Sequence, residues 1–253
     1  MAARAIWKAV VHVGDLSVPV KLYSAVEDRS IHFHLLHDQD MVRLKQRMVN
    51  PNTDETVPHE QIRKGVEIER NRFVVLSDED LESLTPPASR DIEISHFIER
   101  EAVEPPWFDR PYFLGPDGDA PEYFALAKAL AGSERIGLAH WVMRSKQYHG
   151  ALQPEGDYLT LVTLRHAGEV IEPGELEPPA GRDLDKKERD LATRLVAGLT
   201  EDFNPEDYQD EYRERVRQLI DTKRRGGTIE VEEYEEVPQE RSLAEMLEAS
   251  LSR

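Results

Sequence analysis

Strict alternation of apolar and polar residues in the first forty positions constrains this chain more than anything else in it. Two runs, Ile6–Val13 and Leu16–Tyr23, meet at Gly14-Asp15, where a glycine supplies the positive φ of a tight hairpin turn. In the second run Leu16, Val18, Val20 and Leu22 share one face, and Ser17, Pro19, Lys21 and Tyr23 the other. Proline donates nothing to a ladder. The strand must therefore lie at an edge, carry a bulge, or turn that site from its neighbour. Ser30–Leu36 continues the alternation, so the chain is expected to open as an antiparallel β-meander.

The 253 residues suit one large β-rich domain with a smaller appendage. With 39% hydrophobic residues, the chain is globular rather than disordered. It has no cysteine, which excludes disulfides and thiolate zinc sites. No apolar run is long enough to span a bilayer, and the N-terminus lacks a signal-peptide core, so no membrane partner and a cytoplasmic location are expected. The net charge of −18 argues against nucleic acid when taken alone. Its distribution is uneven: residues 1–50 hold seven Lys/Arg against five Asp/Glu, whereas residues 201–253 hold eight against sixteen.

Further along, Met41–Val49 places Arg43, Lys45 and Arg47 at period two, which on a strand makes one wholly basic face. Such a face is either merely solvated or an anion contact. Pro58–Ile62 reads as a helical turn stopped by Gly65, and Glu67–Leu76 as a hairpin or a turn leading into a strand. Ser77 opens a capping box with acids in the first turn, burying Leu81 and Leu84. Asp91–Ile98 alternates with Ile92, Ile94, His96 and Ile98 on one face. The aromatic segment Pro105–Pro116 fits a satellite core better than a base-stacking patch. Pro121–Ala131 carries a helical stripe of Tyr123, Leu126, Ala127 and Leu130.

A hairpin turns at Arg144-Ser145-Lys146, either as an exposed tip or as a second basic site. Tyr158–Leu164, apolar on both faces, belongs at the centre of a sheet. After an acidic, proline-rich linker at Glu172–Pro179, helices are expected over Leu184–Leu199 and from Pro205, capped by Asn204, to Arg225. Thr228–Val237 reads as an acidic extended tail. A short amphipathic helix closes the chain, with Leu243, Met246, Leu247 and Leu251 on one face.

Signals for chemistry are sparse. His32, His34 and His37 are the one metal-like spacing, without a third-ligand motif beyond Asp38 and Asp40. No phosphate-binding glycine loop, nucleophile elbow or zinc-protease motif occurs. The chain reads as a non-enzyme with no catalytic residue, no metal and no cofactor.

Several segments resemble bacterial Ku, the DNA-end-binding protein of non-homologous end joining, a DNA repair and recombination pathway. They are AIWK…G…VPVKLYSA.ED..I.FH..H at the start, then Val57–Leu84, Phe108–Asp117 (FDRPYFLGPD), Leu159–Pro173 and Leu243–Leu251. In that order they span nearly the whole chain. The resemblance implies a mainly β fold: a Ku-type β-barrel core over residues 1–173, with an arching bridge segment at about 41–76. A helical dimerisation segment over 174–225 and an acidic tail over 226–253 with a partner-binding helix would complete it. It also implies a homodimeric ring that binds double-stranded DNA ends in the cytoplasm, at the nucleoid, without reading sequence.

Candidate phosphate contacts are Arg43, Lys45, Arg47, Arg63, Lys64, Arg70, Arg72, Arg144 and Lys146. Leu243, Met246, Leu247 and Leu251 would engage an ATP-dependent end-joining DNA ligase. Where many bacterial Ku proteins carry a Cys-x-x-Cys pair, this chain has Val49 and Asn52, so no metal role is implied there. Two rivals stand beside this reading: an acidic interaction module on the same fold with weak or lost DNA binding, and a histidine-dependent metallohydrolase.

Overall fold

The computed structural model describes residues 4–118, 121–176 and 181–226, and the chain divides into two compact units. Residues 1–29 and 33–172 form the first, residues 30–32 and 173–253 the second.

The first unit is built on a closed seven-stranded barrel. Strands β1 (Trp7–Val13) and β2 (Leu16–Ser24) pair around Gly14, whose φ is +57°. Pro19 takes the third of its options. Opposite it, Val10 donates away from β2, to the carbonyl of Arg90 at 2.8 Å, so the pair lies at a position without ladder hydrogen bonds. The Pro19 carbonyl still serves, accepting from Asp117 N–H at 3.1 Å. The expected third strand is absent. Phe33 and Leu35 are 69% and 68% exposed, because nothing in this unit offers them a sheet face to cover.

Two strands of the arm that follows, β3 (Lys64–Glu69) and β4 (Arg72–Leu76), form an isolated hairpin with Asn71 at φ +61°. Before it, His59–Gln61 is a single 3-10 turn, and Gly65 lies inside β3 rather than stopping a helix. Helix α1 (Asp78–Ser83) starts as read: Ser77 and Asp80 exchange both capping bonds. Its apolar side is not buried, and Leu84 is 79% exposed.

The chain re-enters the barrel at β5 (Asp91–Glu99) and continues through β6 (Phe108–Pro116), helix α2 (Pro121–Ala131), β7 (Arg135–Met143), β8 (Lys146–Glu155) and β9 (Tyr158–Leu164). Around the barrel the order is β1-β2-β6-β9-β8-β7-β5, closed by a parallel pairing in which Val10, Val11 and His12 face Asp91, Ile92 and Glu93. A register shift between Ile94 and His96 moves His96 off the Ile92 face. The Pro105–Pro116 segment is a barrel strand from Phe108 onward, with Tyr112 in the core and Phe113 outside. Its prolines hide it from an alternation test. β9, flanked by β6 and β8, buries five consecutive residues.

All four apolar residues of the α2 stripe are buried in one cluster with the barrel interior. At roughly 1.5–3 kcal/mol for each large side chain removed from water, that cluster dominates the unit's stability. Tyr123 secures it by donating to the Leu114 carbonyl and accepting Leu159 N–H.

The second unit holds α3 (Lys186–Gly198) and α4 (Glu211–Arg224). The helix expected from Pro205 onward is interrupted. Pro205–Asp207 forms a 3-10 turn under the Asn204 cap, and Asp210 then accepts from Arg213 N–H to start α4 afresh. Among this unit's described residues only Glu188 is buried. The apolar side chains stay in solvent: Val196, Leu199, Phe203, Tyr208 and Tyr212 are each at least 65% exposed. The acidic tail and the closing amphipathic helix, with Leu243, Met246, Leu247 and Leu251, lie outside the described residues.

Candidate nucleic-acid interface

Antiparallel hairpins sort the barrel's loops between its two ends. At one end lie the β7–β8 turn, the start of β6, the end of β9 and the start of β5. The chain leaves β2 at this same end, where Ser24 faces Tyr112, and returns to it through Arg90. The arm is therefore rooted at both feet on one rim. This rim carries Arg90, Arg110, Arg144, Lys146 and Arg165, against Asp91 and Asp109, whose carboxylates are engaged by His12, Ser89 and Arg165. The opposite rim holds Asp15, Glu134, Glu155 and Asp157 in its turns and Asp117 beyond β6, with Arg100, Arg135 and the Asp117 partners Lys8 and Lys21 among its cations. Segregation of this kind lets a chain of net charge −18 keep a basic surface.

On the rim, Arg144 and Ser145 occupy the β7–β8 turn at φ +50° and +63°, and Lys146 opens β8. The Arg110 guanidinium lies 5.8 Å from the centre of the Tyr112 ring. Burial raises the pKa of the Tyr112 phenol, and Arg110 and then Arg144 act against that shift, so both cations lie within electrostatic reach of one hydroxyl. Arg165 is drawn onto Asp109 at 2.7 Å.

Along the arm the period-two basic face is not on a strand. Residues 41–49 are irregular, touching other segments through single bridges at Leu36–Arg43 and Val49–Thr56, because no neighbouring strand supplies a full ladder. The Arg43, Lys45 and Arg47 side chains are nonetheless exposed and make no hydrogen bond or ion pair among the described residues. Arg70, in the β3–β4 turn, is equally unengaged.

Three other candidates are occupied. Arg63 donates to the carbonyls of Glu60 and Ile62, Lys64 pairs with Asp78 at 2.9 Å, and Arg72 with Glu69 at 3.2 Å. These pairs are exposed and cheap to exchange. From 33 to 90 no residue is buried, and Met41, Phe73 and Val75 are each more than half exposed.

His32 bonds the Ser30 carbonyl and His37 the Asp40 carboxylate, and among the described residues no group of three or more histidine or acidic side chains is placed to hold a metal. No described helix is long and apolar enough to cross a membrane. Arg90 and Arg110 escape a reading of the sequence. Each stands alone, beside a proline, an aspartate or a serine, and only long-range strand pairing brings them to the rim of Arg144. Their one local signal is position, immediately before or within the first turn of a strand.

Comparison with known proteins bears on what this surface is. A family model described as the Ku70/Ku80 beta-barrel domain matches residues 12–191. The non-homologous end joining protein Ku of Anaeromyxobacter sp. (strain K) is 38% identical over 253 residues, covering 99% of this chain and 86% of that protein. The protein of the same name from Mycolicibacterium smegmatis is 36% identical over 244 residues, 94% of this chain and 76% of that one. That from Mycobacterium tuberculosis (strain ATCC 25618 / H37Rv) is 35% identical over 231 residues, 88% and 84% of the two chains. A match through the barrel, with likeness of this extent beyond it, shows that the chain belongs to the Ku family.

Proposed function

We propose that this chain binds double-stranded DNA ends, without reading sequence, as a homodimeric ring acting in non-homologous end joining. One observation carries the reading: an arm without a buried residue from 33 to 90, bearing Arg43, Lys45, Arg47 and Arg70 that have no partner among the described residues, is rooted at both ends on a rim bearing Arg90, Arg110, Arg144 and Lys146. Cations without carboxylate partners are available to phosphates, and phosphate contacts position a protein without specifying bases. The arm and the helices α3 and α4 leave large apolar side chains uncovered, and a second copy of the chain is the natural cover for them.

Selectivity for ends is then topological, since a closed ring loads only where the duplex stops. The reading needs no nucleotide, cofactor or catalytic group. Its finer part is that Leu243, Met246, Leu247 and Leu251 present an apolar stripe to an ATP-dependent DNA ligase.

The test is binding to a short linear duplex and to a closed circle of the same sequence across a salt series. Tight binding to the linear form alone, weakening steeply with salt, supports the ring. The strong net negative charge favours one rival, an acidic interaction module that has lost DNA binding. Equal affinity for both forms, or none at low salt, selects that rival.

A further inference from the structure

We infer that Arg90, Arg144 and Ser145 form a discrete pocket for a single phosphate group, in addition to the diffuse attraction of the arm. The pocket is a cavity of about 350 Å³ at the arm-bearing rim, and its walls include Trp7, Ser89, Arg90, Val142, Arg144 and Ser145. It draws on three strands that are neighbours in the barrel and distant in the chain: the start of β1, the approach to β5 and the end of β7. The inference rests on the DNA-binding reading and sharpens it.

Its cationic residues sit on fixed backbone. Arg90 is held by its carbonyl, which accepts Val10 N–H at 2.8 Å across the closing parallel pair. Arg144 and Ser145 are the two central residues of a hairpin whose register is set by Met143 facing Lys146. Neither guanidinium has a carboxylate partner among the described residues, and the Ser145 hydroxyl is also unengaged. The neighbouring acid is already committed. Asp91 accepts from the Ser89 hydroxyl at 2.6 Å and lies 3.0 Å from His12 Nε2, contacts that hold its carboxyl below the usual range. Two guanidiniums from segments far apart in the chain, with a hydroxyl beside them and Trp7 and Val142 thinning the water, suit a tetrahedral oxyanion with several acceptor oxygens. A planar carboxylate would be satisfied by one fork.

The turn itself adds an independent observation. A two-residue hairpin with positive φ at both central positions favours Asn-Gly, yet this one uses Arg-Ser. Non-glycine residues held at positive φ carry backbone strain, and strain persists where a site requires it. Replacing Arg144 with Asn and Ser145 with Gly should therefore relax the hairpin while emptying the pocket of a cation and a hydroxyl.

The full-length protein is tested as wild type, R90A, R144N/S145G and the combined variant. Inorganic phosphate titrations follow the Trp7 indole and the residue 145 amide by NMR, and duplex binding is measured with 5′-phosphate or 5′-hydroxyl ends. Phosphate should shift both signals in the wild type and neither in the combined variant. R144N/S145G should melt higher than wild type and yet bind duplex more weakly, a combination that a merely structural turn does not produce.

Losing one phosphate contact should weaken duplex binding roughly tenfold or more and lower the salt slope by about 1. Equal loss with both kinds of end assigns the pocket to an internal phosphodiester, and loss confined to 5′-phosphorylated duplex assigns it to the terminal phosphate. Unchanged titrations and unchanged duplex affinity in the combined variant overturn the pocket. A wild type that titrates with phosphate but binds no duplex leaves the pocket standing and overturns the DNA-end reading instead.

Discussion

The hydroxyl of Tyr123, on the helix α2 that packs into the barrel, accepts the Leu159 backbone N–H at 2.9 Å while donating to the Leu114 carbonyl. One buried phenol thus satisfies two main-chain groups on adjacent strands, β6 and β9. Removing the oxygen and keeping the ring leaves both unpaired away from water. Y123F should destabilise the barrel by about 1–3 kcal/mol, read as a lower denaturant midpoint with an unchanged slope.

Gly150 faces Trp141, and a side chain there has no room. An added Cβ would lie 2.6 Å from the Val162 carbonyl oxygen and 2.7 Å from the Trp141 ring, which stacks on Tyr148. G150A should cost at least about 1–3 kcal/mol, since one of the two clashes is with backbone and the other with the rigid ring of a buried indole. It should also alter the near-ultraviolet dichroism of the stacked pair. A variant that melts with the wild type would show that the barrel wall yields.

The Arg43, Lys45 and Arg47 side chains are exposed and unpaired among the described residues. Changing all three to Glu should leave the melting temperature unchanged. Neutralising them to Gln should lower the slope of log affinity against log salt for linear duplex by up to about 3. Fluorescence anisotropy across a salt series checks this, with circular dichroism melts as the folding control.

Arg182, ahead of α3, and Glu188, in its first turn, form a two-pronged ion pair at 2.6 and 2.8 Å, where Glu188 also receives Asp185 N–H. Principally through the Arg182 bond, the carboxyl is lowered from 4.5 to about 2. A depressed carboxyl stabilises the folded form above its unfolded value, and the contribution is lost as pH falls through about 2. Wild-type α3 should thus weaken between about pH 4.5 and pH 2. E188Q should be less stable at neutral pH and flat across that window. Helical ellipticity during acid titration distinguishes the two.

Turn chemistry, caps and periodicity are local, and the sequence alone determined what depends on them. Gly14 marks the first hairpin, Ser77 and Asp80 the capping box, and Tyr123, Leu126, Ala127 and Leu130 a buried face that the structure keeps residue for residue. Each is decided by φ, ψ and neighbours within about four positions. The composition of β9, apolar on both faces, likewise announced a central strand.

Tertiary structure decided the remainder. Residues 30–36 and 41–49 alternate as a strand should, yet they form none, because alternation stabilises a strand only where another strand supplies hydrogen bonds and a face to cover. Phe108–Pro116 breaks the pattern with prolines and is a strand all the same, since β2 and β9 flank it. Arg90 and Arg144 are far apart in the chain and share a pocket only because β5 pairs antiparallel with β7, with β6 and α2 lying between them in sequence. That pairing is long-range. Its loop-closure cost is met by the whole barrel core rather than by any local signal, so the rim it assembles is legible only in the folded molecule.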